Sequence, residues 1–379
     1  METVPHILYL GDDQPHSTSR HRAEALRRIG CRVDMVNPQT AYAHYRLHPK
    51  INFLTGYRLV APLVHRWLLR QTHNQTHDVV WVNGGHAVPL ASIRYFRNAG
   101  ACVLNYANDD PTGNRDGNSW WTVRKSLPEY DLGVVVRGEN EREFRRLGVR
   151  RVLRAWMSHD EVSHAPYAST ESIPDSFRSE VAFIGTWMRG EGLHGRDYFL
   201  LKLAQAGIPI SIWGERWRKS PCWCRLKAFW RGGSLGGRDY VAAIQGAKIS
   251  LGFLSKGNRD LHTTRSSEIP YAGGVLCAER TSEHLQMYQD GVEAVFWSSA
   301  EECILKCREI LADKPKRERI RQAGMQRIRE LGFGNETICR RILVELGFEG
   351  FQNEATLKLY RMHGASRPDI YQEMTGKPL

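Results

Sequence analysis

Residues 248–279 read KISLGFLSKGNRDLHTTRSSEIPYAGGVLCAE. An apolar run with strand character, 248–253, gives way to a polar loop; a helical pattern follows over 265–272, and beyond Gly273 and Gly274 a second apolar run reaches Cys277. Strand, loop, helix and strand in that order is the unit from which parallel sheets are built. Ligands of such sheets bind outside the carboxyl ends of the strands. The polar loop stands at that end of the first strand.

The same alternation extends in both directions. Towards the start of the chain, strand patterns fall at 6–10, 32–36, 78–82, 101–106 and 132–136, with helical patterns at 17–29, 88–98 and 139–147. Gly30 sits where a helix-ending glycine belongs. A second series has strands at 181–184, 209–213 and 293–296 and helices at 196–206, 239–245 and 300–311. Between the two series, HAPYASTESIPDSFRS (164–179) has no periodicity. The expectation is an α/β protein of two Rossmann-like domains facing each other across a cleft. The first spans 1–165, a linker 166–179 and the second domain 180–347. A helical tail, 348–379, has the option of crossing back to the first domain. A chain of 379 residues suits two domains.

Hydrophobic residues make up 41% and charged residues 25%, enough for packed cores and contrary to disorder. The longest apolar stretch, 59–69, is interrupted by Pro62, His65 and Arg66, so it falls short of the roughly 20 apolar residues of a membrane span. The opening METVPHILYL has no basic segment and runs into a strand pattern, so no signal peptide and a cytoplasmic location are expected. Eight cysteines without framework spacing agree with a reducing compartment, and Cys303 and Cys307 share an apolar helix face with Ile304, Ile310 and Leu311. Cys222 and Cys224 have no second pair at zinc-finger spacing, and metal binding is not expected there. The net charge of +12 favours anionic partners. Its basic residues are spread over amphipathic helices such as 314–329, with Ile320, Gly324, Ile328 and Leu331 inward, so nucleic acid is not expected.

No GxxxxGK[ST] loop occurs, which argues against a P-loop NTPase. Chemistry instead concentrates in the loop quoted above. Lys256, Asn258, Arg259, Asp260, His262, Thr263, Thr264, Arg265 and Glu268 fall within thirteen residues. Arginine and lysine can neutralise a diphosphate, the coming helix offers amides to the same anion, and a carboxylate can accept both hydroxyls of a ribose. Gly273 and Gly274 would admit a close approach of backbone. The competing reading is a polar loop with a helix-capping network.

NRDLHTTRSSEIPYAGG, with VAFIGTW at 181–187, ISIWGERW at 210–217 and LGDDQPHSTSRHRAEALRRIG at 10–30, resembles the CgeB-like glycosyltransferases. Ser267 and Tyr271 depart from the family pattern at packing positions. The resemblance covers roughly residues 6–345 and is stronger in the second half. It implies the GT-B fold, with Glu268 on the donor ribose and Asp260, eight positions earlier, near the sugar diphosphate. Arg265 and Lys256 become the candidates for the diphosphate, whose leaving charge needs stabilisation if no metal supplies it. Asn258, His262, Thr263 and Gly273 join the donor set.

The resemblance also turns Gly185 and Arg189 towards the donor, although a surface arginine is an equal reading of Arg189. Gly214 and Trp217 end another strand on that side. Trp217 could stack on the base, while packing is the commoner role of a tryptophan. In the first half, the loops at 11–17 and 108–110 would meet the acceptor. A base taking the acceptor proton would be Asp110, then Asp109, His16 or His86. Asp109 and Asp110 precede Pro111, and a turn capped by aspartates reads equally well.

The functional expectation is a metal-independent glycosyltransferase, with nucleotide-sugar as co-substrate and no cofactor. Its acceptor would be a polysaccharide, lipid or protein, with peripheral contact to an anionic membrane surface as an option. The alternatives are a nucleotide-sugar epimerase of the same fold and a non-catalytic binding protein.

Overall fold

The computed structural model describes residues 4–43, 49–189 and 195–356. They divide into two compact units. Unit 1 takes its described residues from Met1–Trp156, Lys256–Asp260 and Gly334–Leu379, and unit 2 from Met157–Ser255 and Leu261–Phe333.

Unit 1 is built on six strands: β1 (His6–Leu10), β2 (Arg32–Val36), β3 (Val79–Asn83), β4 (Cys102–Ala107), β5 (Leu132–Val135) and β6 (Val152–Arg154). They form one sheet in the order β2-β1-β3-β4-β5-β6, and every pairing is parallel. Val79, Val80, Trp81 and Val82 are all 0% exposed, the continuous apolar run of a strand covered on both faces. Helix Thr18–Arg28 starts where Ser17 Oγ accepts from the Arg20 amide at 3.1 Å, and it ends before Gly30 at φ +101°.

Unit 2 repeats the plan with β7 (Ser179–Ile184), β8 (Ile210–Trp213), β9 (Trp230–Gly232), β10 (Ala247–Gly252), β11 (Leu276–Glu279) and β12 (Val295–Trp297). The order is β12-β11-β10-β7-β8-β9, again all parallel. Cys303 and Cys307 are buried in its core, as the helix face foretold, and Ile320, Gly324, Ile328 and Leu331 line the inner side of helix Lys314–Leu331. Gly324 lies so close to the Glu293 carbonyl that a Cβ would stand 2.5 Å from its oxygen.

Three boundaries differ from the sequence reading. The chain passes to unit 2 at Met157, and the stretch expected as a linker is packed: Tyr167 exchanges hydrogen bonds with Gln245, at 2.7 and 3.1 Å. Helix Asn335–Glu345, assigned from sequence to the second domain, belongs to unit 1. It packs on helix Thr18–Arg28, where Arg28 meets Glu336 at 2.6 Å. Its own apolar stripe, Ile338, Ile342 and Leu343, needed a surface to cover, and the N-terminal helix supplies one. Of the expected tail, a short turn at Glu349–Phe351 is seen, and 357–379 lie outside the described residues.

Two histidines of unit 2 tie stability to pH. Burial pushes His159 down to about 3 and His284 to about 4. An unfolded histidine binds its proton near pH 6.5, so between that value and about 4 the unfolded state holds more protons, and stability falls as pH falls. Urea unfolding at pH 7, 5.5 and 4.5 should show a loss approaching roughly 1.4 kcal/mol per pH unit for each histidine. A free energy flat across that range would contradict the burial of these rings.

Candidate functional site

At the carboxyl end of β7 in unit 2, the first residue past the strand is Gly185. Gly214, just past β8, lies against it. A Cβ on Gly214 would stand 2.1 Å from the Gly185 carbonyl oxygen, and its φ of +143° also favours glycine. Trp217 is 2% exposed and donates its indole N–H to the Gly185 carbonyl at 2.9 Å. It therefore packs in the core and props this turn, which removes it as a platform for a base. Arg189 is exposed at the end of the loop.

Helix Thr264–Tyr271 faces the same strand ends through its first turn. Thr263 is its cap, with its amide donating to Ser266 Oγ at 3.0 Å in a capping box. One turn in, Glu268 is 2% exposed and its Oε2 accepts from the Tyr240 hydroxyl and from Arg265 Nη1, both at 2.6 Å. Burial raises the Glu268 carboxyl, but Arg265, His164 and these hydrogen bonds outweigh it and hold the pKa below the usual carboxylate value. The Arg265 guanidinium lies 4.8 Å from the centre of the Tyr240 ring, and its side chain is one-third exposed. Arg265 also lines a small cavity with Ala182, Ile184, Ser250 and Ile269.

Other expected donor residues have different work. His262 is 1% exposed: its Nε2 accepts from the Met157 amide at 3.0 Å, so Nδ1 carries the proton and donates to Glu283 at 2.5 Å. Both ring nitrogens are engaged inside unit 2. Gly273, at φ +82°, ends helix Thr264–Tyr271 and lies beside Gln245 and Met325. The helix it closes is roughly 12 Å long at 1.5 Å per residue, and Gly273 lies past its end remote from Thr263.

The segment Lys256–Asp260 groups with unit 1. There Asp260 receives Arg137 Nε at 2.7 Å, with both side chains buried, so its carboxylate is an ion-pair partner. Asn258 is buried and reaches Asp109 at 3.4 Å, and Lys256 is exposed.

Asp110, the first base expected from sequence, lies in a buried ion pair. It is 3% exposed and accepts from Arg259 Nε at 2.7 Å, Arg259 Nη2 at 2.8 Å, Asn140 Nδ2 at 2.8 Å and the Gly113 amide at 2.9 Å. These donors outweigh burial and hold its pKa low, so it has little tendency to take a proton. Arg259 makes two further bonds to Glu143, each 2.8 Å, and it adopts φ +55°. Asp110 and Glu143 thus clasp one arginine.

The remaining base candidates differ in setting. His16 is exposed before the Ser17 cap. His86 lies 3.6 Å from the centre of the Trp120 ring and lines a cavity of about 100 Å³ with Gly11, Asp12, Asn37, Gln39 and Asn83. Burial pushes His86 down to about 4, with Asp109 and Asp116 opposing, so the ring is neutral at pH 7. Asn83 Oδ1 accepts from Tyr9 at 3.0 Å and from the buried Arg22 at 2.6 Å, which fixes the carboxamide's orientation at the cavity wall.

Two groups among the described residues could hold a metal ion: Cys277, Cys303 and Cys307, and His6, Asp34 and His77. Neither contains an expected donor or acceptor residue.

Residues 196–342 match the family model described as glycosyl transferase-like. That span includes Glu268, Arg265 and Tyr240. No curated protein matches the sequence. Among solved structures, sucrose-phosphate synthase from Thermosynechococcus elongatus is 13% identical with a TM-score of 0.66, over 91% of this chain and 100% of that one. HepE from Anabaena, in complex with UDP and glucose, is 11% identical with a TM-score of 0.63, over 90% and 99%. The UDP-forming α,α-trehalose-phosphate synthase from Burkholderia xenovorans, in complex with glucose-6-phosphate, is 13% identical with a TM-score of 0.60, over 90% and 100%. The chain has the GT-B fold.

Sequence reasoning missed Tyr240, His164, Arg137 and the clasp around Arg259. Tyr240 falls on the inner face of helix Gly237–Gln245, where an aromatic reads as core; only its hydroxyl, buried and in need of a partner, could have pointed to Glu268.

Arg137→Ala should be costly, because it strands the buried Asp260 carboxylate. Urea unfolding should show a loss of roughly 3–5 kcal/mol. A change below 1 kcal/mol would mean the pair is solvated or dispensable.

Proposed function

We propose that the chain is a glycosyltransferase, moving a sugar from a nucleotide-sugar to an acceptor hydroxyl without a metal ion. The observation that carries this reading is the buried cluster of Glu268, Arg265 and Tyr240 at a parallel-sheet strand end, inside the span that matches a glycosyl transferase-like family. Glu268 accepts the ribose hydroxyls. Arg265 turns from that carboxylate to the diphosphate and stabilises its charge as the sugar leaves. A uridine nucleotide is the first donor to try, since two of the similar structures are named for UDP chemistry.

The acceptor binds at the cavity beside His86, whose ring, neutral at pH 7, takes the hydroxyl proton as the new bond forms, with Asp109 partly offsetting the burial that lowers its basicity. The finer assignment to the CgeB-like family rests on the run from Asn258 to Pro270. Among the described residues no helix is long and apolar enough to cross a membrane. Peripheral contact with an anionic bilayer is supported by exposed Ile51, Phe53, Leu54 and Leu59 beside exposed Lys50 and Arg58.

Thermal shift against UDP-, GDP-, ADP-, CMP- and dTDP-sugars tests donor binding. A ligand at 100 times its dissociation constant should add about 2.7 kcal/mol of stability. Glu268→Ala should abolish that shift, and no shift in the wild type with any donor would defeat the proposal. Incubation of donor without acceptor should leave the sugar unchanged; an epimerised nucleotide-sugar would replace transfer by isomerisation. With an acceptor found, His86→Ala should lower kcat by roughly 100-fold or more. Retention of most of the rate would pass the role of base to Asp109.

A further inference from the structure

Away from the carboxyl ends of the strands, unit 1 gathers three side chains from three separate segments. His6 opens β1, Asp34 lies in β2 beside Leu8, and His77 stands two residues before β3. The Nε2 atoms of His6 and His77 approach one oxygen, Asp34 Oδ2, at 2.7 and 3.1 Å. One nitrogen from each ring and the carboxylate oxygen all lie within 4.8 Å of one another. β1 rises roughly 13 Å from His6 to Leu10, which separates the group from the loop carrying Asp12.

The hydrogen bonding sets the donor atom of His6. Its Nδ1 lies 2.9 Å from the Thr76 carbonyl oxygen, which can only accept, so Nδ1 carries a proton. Without a second proton on the ring, Nε2 would direct its lone pair at a carboxylate oxygen. Two lone-pair atoms at 2.7 Å need a positive centre between them, a proton or a metal ion. An imidazole whose far nitrogen is bonded to a backbone carbonyl is also the arrangement that orients histidine for metal ligation.

We propose that His6, Asp34 and His77 bind a divalent transition-metal ion of the zinc class, which pins β1, β2 and the approach to β3. Two imidazoles and one carboxylate match the donor preference of zinc and its neighbours, and magnesium and calcium prefer all-oxygen sites. Zinc–ligand bonds of about 2.0–2.1 Å place tetrahedral ligands roughly 3.3 Å apart. The 3.1 Å separation already fits, and Asp34, one-third exposed, has room to open the 2.7 Å one. Water completes the coordination on the exposed side. The ion stands at the opposite end of β1 from the acceptor cavity, so its part is structural.

The test uses the full chain, purified without a histidine tag and stripped with chelator. Zinc should bind with a stoichiometry near one and raise the melting temperature by several degrees, while magnesium should do neither. Asp34→Asn and His6→Gln should each lose that equivalent and the shift, with far-ultraviolet circular dichroism confirming that each variant is folded; if one fails to fold, the other carries the comparison. Cobalt(II) in place of zinc should give weak visible bands without the intense thiolate charge-transfer absorption. No zinc uptake by the wild type would overturn the proposal, as would equal uptake by both variants. Thiolate bands that vanish in Cys277→Ser would overturn it too, by assigning the ion to the cysteines.

Discussion

A carboxylate removed from water must be matched by charge and hydrogen bonds where it lies, and Glu268 is the residue on which this requirement bears most. Its position one turn into a short helix is fixed by the capping box at Thr263 and by the glycine that ends the helix. Tyr240 reaches it from the neighbouring helix Gly237–Gln245, and Arg265 closes over both. Three side chains from two helices thus meet at one anionic point beside the end of β7. The same group that needs neighbours for stability can offer its oxygens to a ligand, because one of those neighbours is a half-buried arginine that a diphosphate attracts in turn.

The sheets were largely legible because parallel strands covered on both faces must be continuous apolar runs. β1 and β2 were read with their observed bounds, and Val79–Val82 could hardly be anything else. What escaped was too short to show a period: Val152–Arg154 and Trp230–Gly232 have three residues each. Helix Asn335–Glu345 was not read as a helix, and its span went to the second domain, since an apolar stripe does not say which surface it covers.

Site residues were legible as a dense segment and much less so as individual roles. Composition marks where polar groups gather, and partners decide what each does. Asp110 satisfied the reading of an aspartate that caps a turn, through the Gly113 amide, and also drew in Arg259 from 149 positions away. No local pattern announces such a pair. His262 and Asp260 were similarly absorbed by Glu283 and Arg137, so the loop gives much of its chemistry to holding itself in place, as the competing reading of a polar capping loop has it. His86, ranked last from sequence, stands out only once burial and the adjoining cavity are known.

The discontinuous make-up of unit 1 has a consequence for synthesis. Helix Thr18–Arg28 leaves the ribosome roughly 300 residues ahead of the helix that covers it, Asn335–Glu345. At about 5–20 residues per second, the interval is of order tens of seconds. During it the early helix lacks its native cover, whereas every segment of unit 2 has emerged once Phe333 has. Unit 2 can therefore mature before unit 1, and chaperones that shield apolar surface have their task at helix Thr18–Arg28.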